Sequence, residues 1–302
     1  MSNNTQYPSA KGAFFAIAAT LFWAGNLVIA RVYTAQASPV GLAFYRWWVA
    51  LAILTPICFS SFWKNRRILW QFRGYLILCS LLAVTLFTLF LYIASETVPA
   101  VELALISTSL PAFILLISVV WLGDAVRLNQ VLGILLAFMG IVTLITEGDW
   151  QVLTALQAKA GYAWMIGATM LFAVYSVILR NRPGELNGWL FLYSTVTLGF
   201  LFLLPCYLWE LVRSPALVIT PEFIAAIVYL GLFASIGSYY CWNQAVHLIG
   251  PIRTAPFYYL IVAFSGVGGW LFLNEPMGWL HLLCMGLIVS GIFVANLGKD
   301  SV

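Results

Sequence analysis

Ten stretches of this 302-residue chain, near 13–33, 39–61, 73–95, 99–122, 127–146, 160–180, 187–210, 222–246, 251–273 and 277–297, are each apolar for about the length of a membrane span. Hydrocarbon contains no water to satisfy backbone N–H and C=O groups, so only helices and closed barrels cross it. The stretches are continuously apolar rather than alternating in segments of ~10 residues, which argues against a barrel. Composition agrees, with 63% hydrophobic and 8% charged residues; a soluble domain carries roughly three times that charged fraction. The expectation is an all-α integral membrane protein of ten transmembrane helices.

The helical pattern is written twice. ATLFWAGNLVIAR (19–31) is echoed by ATMLFAVYSVILR (168–180) at an offset of 149, and Pro56 by Pro205 at the same offset. GDAVRLNQVLGILLAFMGIV (123–142) is echoed by NEPMGWLHLLCMGLIVSGIF (274–293) at an offset of 151, with Asp124 answered by Glu275. Five spans per half is an odd number, so the second copy starts on the opposite side of the membrane from the first. This predicts two inverted five-helix repeats around a central cavity, 1–146 and 160–302, joined by a periplasmic linker at 147–159 within one structural domain.

Charge supplies the orientation. With the N-terminus inside, cytoplasmic segments hold Lys11, Lys64, Arg66, Arg67, Arg73, Arg127, Arg180, Arg182, Arg253 and Lys299, against Arg31, Lys159 and Arg213 outside. That asymmetry predicts both termini on the cytoplasmic side of a bacterial-type inner membrane. It also makes the net charge of +4 a topological signal rather than a nucleic-acid footprint, so no nucleic-acid partner is expected. The short polar tail before Lys11 and the lack of a small-residue cleavage site predict a retained first helix. Five cysteines, an odd number with no CxxC spacing and all within spans, predict neither disulfide nor metal site, and no cofactor motif is present.

Polar and ionisable residues inside spans are costly and mark candidate sites. Arg46 lies within the second span in the aromatic run FYRWW (44–48). One reading is a cavity-facing guanidinium that binds a substrate carboxylate or an aromatic ring. The other is a structural arginine that snorkels outward or caps carbonyls of a neighbouring helix. Thr85, Thr88 and Tyr92 share a helical face, as do Tyr239, Trp242 and Asn243, and Thr88 and Tyr92 map onto Tyr239 and Asn243 at the offset of 151. Trp23 and Asn26 in the first span, and Tyr258 after Pro256 in the ninth, complete the expected substrate site. Trp47, Trp48, Trp63, Trp70 and Trp279 fit interfacial belts. Glu102 and Arg253 hold equivalent places in spans four and nine and are candidate gate residues or interfacial charges. Asp124 and Glu275 are read as water-facing helix ends with a loop or packing role, and His247 and His281 as hydrogen-bonded structural groups. The first span has no carboxylate, which excludes proton coupling through an acid there.

Spans five and ten differ. Gly133/Ala137 and Gly286/Ser290 are pairs of small residues four apart, and Gly140 matches Gly291. Small residues permit close helix approach, so these spans are expected to pack at the repeat interface or in a homodimer, the chain being a monomer or a dimer.

These residues resemble a known family. FWAGN in the first helix, FYRW in the second, and GD or NEP ending the fourth helix of each half look like EamA-type members of the drug/metabolite transporter superfamily. The resemblance covers nearly the whole chain and departs from the usual pattern at Asp124, where Glu is commoner. It implies that helices one to four of each half enclose a substrate cavity, with the fifth helices outside. It further implies alternating-access movement of small organic metabolites, such as export of amino acids or related compounds, with no chemical step. The alternative substrate class is amphipathic drug-like or lipid-like molecules that are exported or flipped. A membrane-embedded enzyme would need a nucleophile with a base or a mid-span carboxylate pair, and the sequence offers neither.

Overall fold

The computed structural model of the chain describes residues 10–33, 38–98, 100–146, 149, 160–211, 220–273 and 278–297. Every regular element among them is helical. In chain order they are α1 (Ala10–Tyr33), α2 (Pro39–Lys64), a short helix Arg66–Gln71, α3 (Arg73–Ser95), α4 in two pieces (Ala100–Ser107 and Leu110–Leu122) and α5 (Leu128–Thr146). Then follow α6 (Ala160–Ile178, with a 3₁₀ turn Leu179–Asn181), α7 (Gly188–Leu211) and α8 (Pro221–Ile249). The last two are α9 (Pro251–Thr254, a 3₁₀ segment Ala255–Tyr259, then Leu260–Leu273) and α10 (Trp279–Ala295). Six of these helices, within α2, α3, α4, α6, α7 and α8, are long and apolar enough to cross a membrane, and α5 and α10 are shorter apolar helices. The chain is an all-α, multi-pass membrane protein. The linker expected at 147–159 lies, apart from Asp149, outside the described residues.

Local chemistry sets the helix starts. Ser38 Oγ accepts the Gly41 N–H at 3.1 Å with Pro39 at the first helical position, and Asn187 Oδ1 accepts the Leu190 N–H at 2.9 Å. These two caps stand 149 residues apart. Gly123, at φ 67°, ends α4, where a left-handed turn costs a glycine least. Pro56 and Pro205 both lie inside their helices, α2 and α7.

The packing pairs recur with the same offset as the sequence. Helix α1 packs on α8 and α9, and α6 packs on α3 and α4; α2 packs on α8, and α7 on α3. Two further contacts, α2 with α7 and α5 with α10, join equivalent helices. Glycines close two of these crossings, since a Cβ on Gly199 of α7 would sit 2.3 Å from Val84 Cγ1, and one on Gly231 of α8 2.5 Å from Val49 Cγ1.

Helices α3 and α8 are not α-helical throughout. Each widens to a π-helix in mid-course, over Leu81–Leu86 and Leu232–Gly237, again 151 residues apart. A π-turn inserts one extra residue and leaves a carbonyl in need of a partner, a feature common at functional sites.

The α5–α10 contact corrects the small-residue reading for α10. Gly133 and Ala137 of α5 do face α10, but their partners are Gly291 and Ala295; a Cβ on Gly133 would lie 2.4 Å from the Ala295 backbone nitrogen. Gly286 has open space where a Cβ would go, and Ser290 is exposed. The helix turns about 100° per residue, so a pair five positions earlier points about 140° away from the face that meets α5. Substituting Gly291→Leu must push the two helix backbones apart and is expected to lower the melting temperature in detergent or abolish the monodisperse size-exclusion peak. Gly286→Leu should shift stability by less than about 0.5 kcal/mol, and equal effects of the two would contradict this packing.

Candidate functional site

The residues singled out by sequence converge where α1, α2, α6, α8 and α9 meet. Trp23 of α1 lies at its centre. Its ring makes edge contacts with Phe172 (centroids 5.5 Å apart) and Tyr239 (5.7 Å), and tilted contacts with Trp242 (5.4 Å) and Tyr258 (6.1 Å). Such edge-on and tilted pairs are favoured by the ring quadrupole. The position expected to hold a central cavity is thus occupied by the rings themselves, and Trp23, Tyr239 and Trp242 are buried. Tyr258 is half-buried and hydrogen-bonded to Ser107, its equivalent at the offset of 151. Tyr92 is buried in the same cluster. Asn26 is half-buried further along α1, three residues after Trp23.

Polar partners pin the rings. The Tyr175 hydroxyl donates to Asn243 Oδ1 at 2.7 Å, and Trp242 Nε1 donates to Ser176 Oγ at 3.0 Å. Trp47 Nε1 donates to Thr88 Oγ1 at 3.3 Å, and its ring meets Tyr239 edge-on at 5.2 Å.

Trp47 corrects the expectation of an interfacial belt. It is 0% exposed, whereas Trp48, Trp63, Trp70 and Trp279 are 53–74% exposed. The signal in the sequence is the run of small and apolar residues at helical spacing, Ala43, Trp47, Ala50 and Leu54, which together make the buried face of α2. Phe172, Tyr175 and Ser176 also belong to the cluster; the sequence marks Phe172 and Tyr175 only as the echo of Trp23 and Asn26, and Ser176 not at all.

Arg46 is 2% exposed, with its donors directed into the wall of the bundle. Nε donates to Ser235 Oγ and Nη2 to the Ala234 carbonyl, both at 2.6 Å, and its guanidinium lies 5.2 Å from the Trp47 ring centroid. Ala234 belongs to the π-segment of α8. On the other side, the Tyr239 hydroxyl donates to the carbonyl of Ala83 at 2.8 Å, in the π-segment of α3. Ala83 and Ala234 are equivalent residues, so each π-segment has its carbonyl bonded by a side chain from the other half of the chain. The geometry of Arg46 is that of a carbonyl cap in a neighbouring helix.

One end of the bundle carries the basic segment from Lys64 to Arg73. There the Arg180 guanidinium meets Asp124 with Nη1 2.7 Å from both carboxylate oxygens, the two side chains being 47% and 20% exposed. The turn at Gly123, closed by Asp124 N–H on the Ser118 carbonyl at 3.3 Å, aims the carboxylate at α6. Asp124 is therefore an ion-pair partner between the halves rather than a simple water-facing helix end. Arg253 lies at the start of α9, and the side chain of Glu102 and residue Glu275 lie outside the described residues. His281 Nδ1 accepts the Gly278 N–H at 3.2 Å, a helix-start role.

The profile of the EamA-like transporter family matches residues 10–146 and, a second time, residues 159–297. The chain belongs to the EamA-like transporter family. An uncharacterized transporter of Archaeoglobus fulgidus is 26% identical over 91% of this chain and 94% of its own length. The Bacillus subtilis uncharacterized transporter YvbV is 24% identical over 96% of this chain and 93% of its own. The "Probable terminal-alkyne amino-acid exporter" of Streptantibioticus cattleyicolor is 24% identical over 72% and 71% of the two chains. A protein of known crystal structure superposes with a TM-score of 0.78 at 17% identity, covering 95% of this chain and 96% of that one, which speaks to the fold alone. As a member of the EamA-like family, the chain is a membrane transporter.

Two substitutions separate the polar interactions of this EamA-like protein. Arg46→Met removes a charged donor from Ser235 Oγ and from the Ala234 carbonyl, which keeps the Ser238 hydroxyl, and should cost roughly 1.5–3 kcal/mol of stability, read as a lower melting temperature. Asp124→Asn breaks a partly exposed pair and should cost under about 1 kcal/mol. The reverse order of effects would show that the π-segment is not what Arg46 supports.

Proposed function

We propose that this chain is an alternating-access carrier of small organic metabolites, an exporter of amino acids or related compounds across a bacterial-type inner membrane. In this reading the two matches to the family are inverted five-helix repeats, the basic end faces the cytoplasm with both termini, and the carrier performs no chemical step. The observation that carries the reading is the pair of π-segments, Leu81–Leu86 and Leu232–Gly237, each bonded by a side chain from the other half.

The mechanism follows from that cross-connection. A π-turn that reverts to α-helix passes one residue along and rotates the helix beyond it by about 100°. Tyr239 grips the carbonyl of Ala83, and Arg46 that of Ala234, so rotation on either side disturbs the cap of the other. The rings around Trp23 must separate to admit a solute, and close again behind it. On the cytoplasmic side the Asp124–Arg180 pair is the polar contact that such an opening breaks. A pair worth under about 1 kcal/mol suits a contact that must open on every cycle. The amino-acid class draws support from the exporter of S. cattleyicolor named above and from the aromatic lining.

Proteoliposomes loaded with a panel of amino acids and short organic acids test this. Protein-dependent flux of at least one such solute is expected, and flux of none would overturn the reading. Tyr239→Phe, which removes only the hydroxyl that caps Ala83, should slow that flux severalfold with folding intact. An unchanged rate would remove the π-segments from the mechanism.

A further inference from the structure

Arg46 is committed to the π-segment, which leaves open what meets the charge of a solute. Two other donors are buried and have no acceptor among the described residues, Nδ2 of Asn243 beside the rings and Nε of Arg182 toward the basic end. Asn243 lies on α8 beside the Trp242 ring, with its carbonyl oxygen already taken by Tyr175. Arg182 follows α6 at the basic end. Its two terminal nitrogens reach Gln244 Oε1 at 3.5 and 3.4 Å, at the outer limit of hydrogen bonding. Gln244 is the residue after Asn243, and Tyr175 lies within electrostatic reach of Arg182, so the two donors are joined through these neighbours.

The surroundings of Arg182 are short of negative charge. Its guanidinium lies 5.8 Å from the Phe191 ring centroid, and the titratable groups around it are the phenols of Tyr75, Tyr175 and Tyr240 and the imidazole of His247. Asp124 is engaged by Arg180, and among the described residues Arg182 enters no ion pair. Burial accordingly lowers the Arg182 pKa, the phenols acting the other way. Donors without acceptors in a buried setting carry an energetic penalty that an acceptor-only group relieves. A carboxylate is such a group, and a guanidinium binds it in a planar fork.

We propose that Arg182 and Asn243 form the anion-recognising pole of the transport site, taking the carboxylate of an amphipathic organic acid whose apolar portion enters among the Trp23, Phe172, Trp242 and Tyr258 rings. This rests on the transporter reading and specifies its substrate class. An ammonium group on the same solute is accommodated by ring faces, which attract cations without a carboxylate partner. Arg182 then meets the solute first from the basic end, and Asn243 receives it as the rings separate.

The test uses the full-length protein in nanodiscs, with L-phenylalanine, phenylacetate and the neutral analogue phenylacetamide as probes, followed by quenching of tryptophan fluorescence. Both carboxylates are expected to bind at least tenfold more tightly than phenylacetamide. Arg182→Gln and Asn243→Leu should each weaken carboxylate binding at least tenfold and weaken phenylacetamide binding by a smaller factor. Arg182→Lys, which keeps the charge, should retain more affinity than Arg182→Gln. Melting temperatures near the parent's identify variants that are folded, and Arg182→Lys serves as the folded comparison should the glutamine variant not be. Equal binding of carboxylate and amide, or carboxylate binding untouched by the Arg182 and Asn243 substitutions, overturns the assignment. Flux of neutral solutes in proteoliposomes with no carboxylate bound overturns this proposal and leaves the carrier standing; absence of all flux removes both.

Discussion

A carbonyl freed from its helix in a region without water must find a donor, and the centre of this protein is organised around that requirement. The π-segments of α3 and α8 place Ala83 and Ala234 where intrahelical bonding is altered, and Tyr239 and Arg46 supply hydrogens across the boundary between halves. Burying a guanidinium in hydrocarbon is costly. Here its hydrogens go to a carbonyl and a hydroxyl, and its face to the Trp47 ring, so the charge is solvated by protein. Around these two links the packing of α1 with α8 repeats as α6 with α3, and glycines let α2 and α7 come close to the π-bearing helices.

The functional centre follows from the same geometry. Trp23 reaches the midpoint because α1 lies against α8 and α9, and there it meets four rings of the second half. Rings in edge contact are held by modest energies of about 1 kcal/mol per pair, so they form a closed but separable core. Helices α5 and α10 pack behind the 3₁₀ segment of α9 that carries Tyr258. Their backbones meet at Gly133 and Gly291, too close for side chains to intervene, and they contribute no ring to the cluster. The protein thus divides into a pair of helices joined backbone to backbone and a central set whose links include cross-half hydrogen bonds and rings in edge and tilted contact.

Much of this is legible in the chain. Apolar length marks the helices, six of which among the described residues are long enough to cross a membrane. The offset of 151 relates Thr88 and Tyr92 to Tyr239 and Asn243, and the residues at those positions do face the common centre. What is not legible is direction at the scale of one residue. Trp47 and Trp48 are adjacent in an aromatic run, and composition treats them alike; only the rotation of α2 decides that one is 0% and the other 53% exposed. Gly286/Ser290 and Gly291/Ala295 are equally good small-residue pairs as strings, and the register of α10 against α5 selects the second. The π-segments have no signature at all, since a π-turn is a response to the packing of neighbours rather than to its own residues.

Apolar length and recurrence at a constant offset are properties of a string, so the order of residues alone establishes a helical membrane protein written twice. It also places aromatic and polar residues on shared helical faces, since periodicity needs no third dimension. Which polar group is spent and which is spare is settled only once the helices pack. Arg46 is the obvious charge to assign to a solute, but in the packed bundle its Nη2 donates to the carbonyl of Ala234, 188 residues away, and its Nε to Ser235 Oγ. Asn243 and Arg182 keep donors that find no acceptor among the described residues. A hydrogen bond is satisfied or left open by what lies within about 3 Å, and that is set by how distant helices meet.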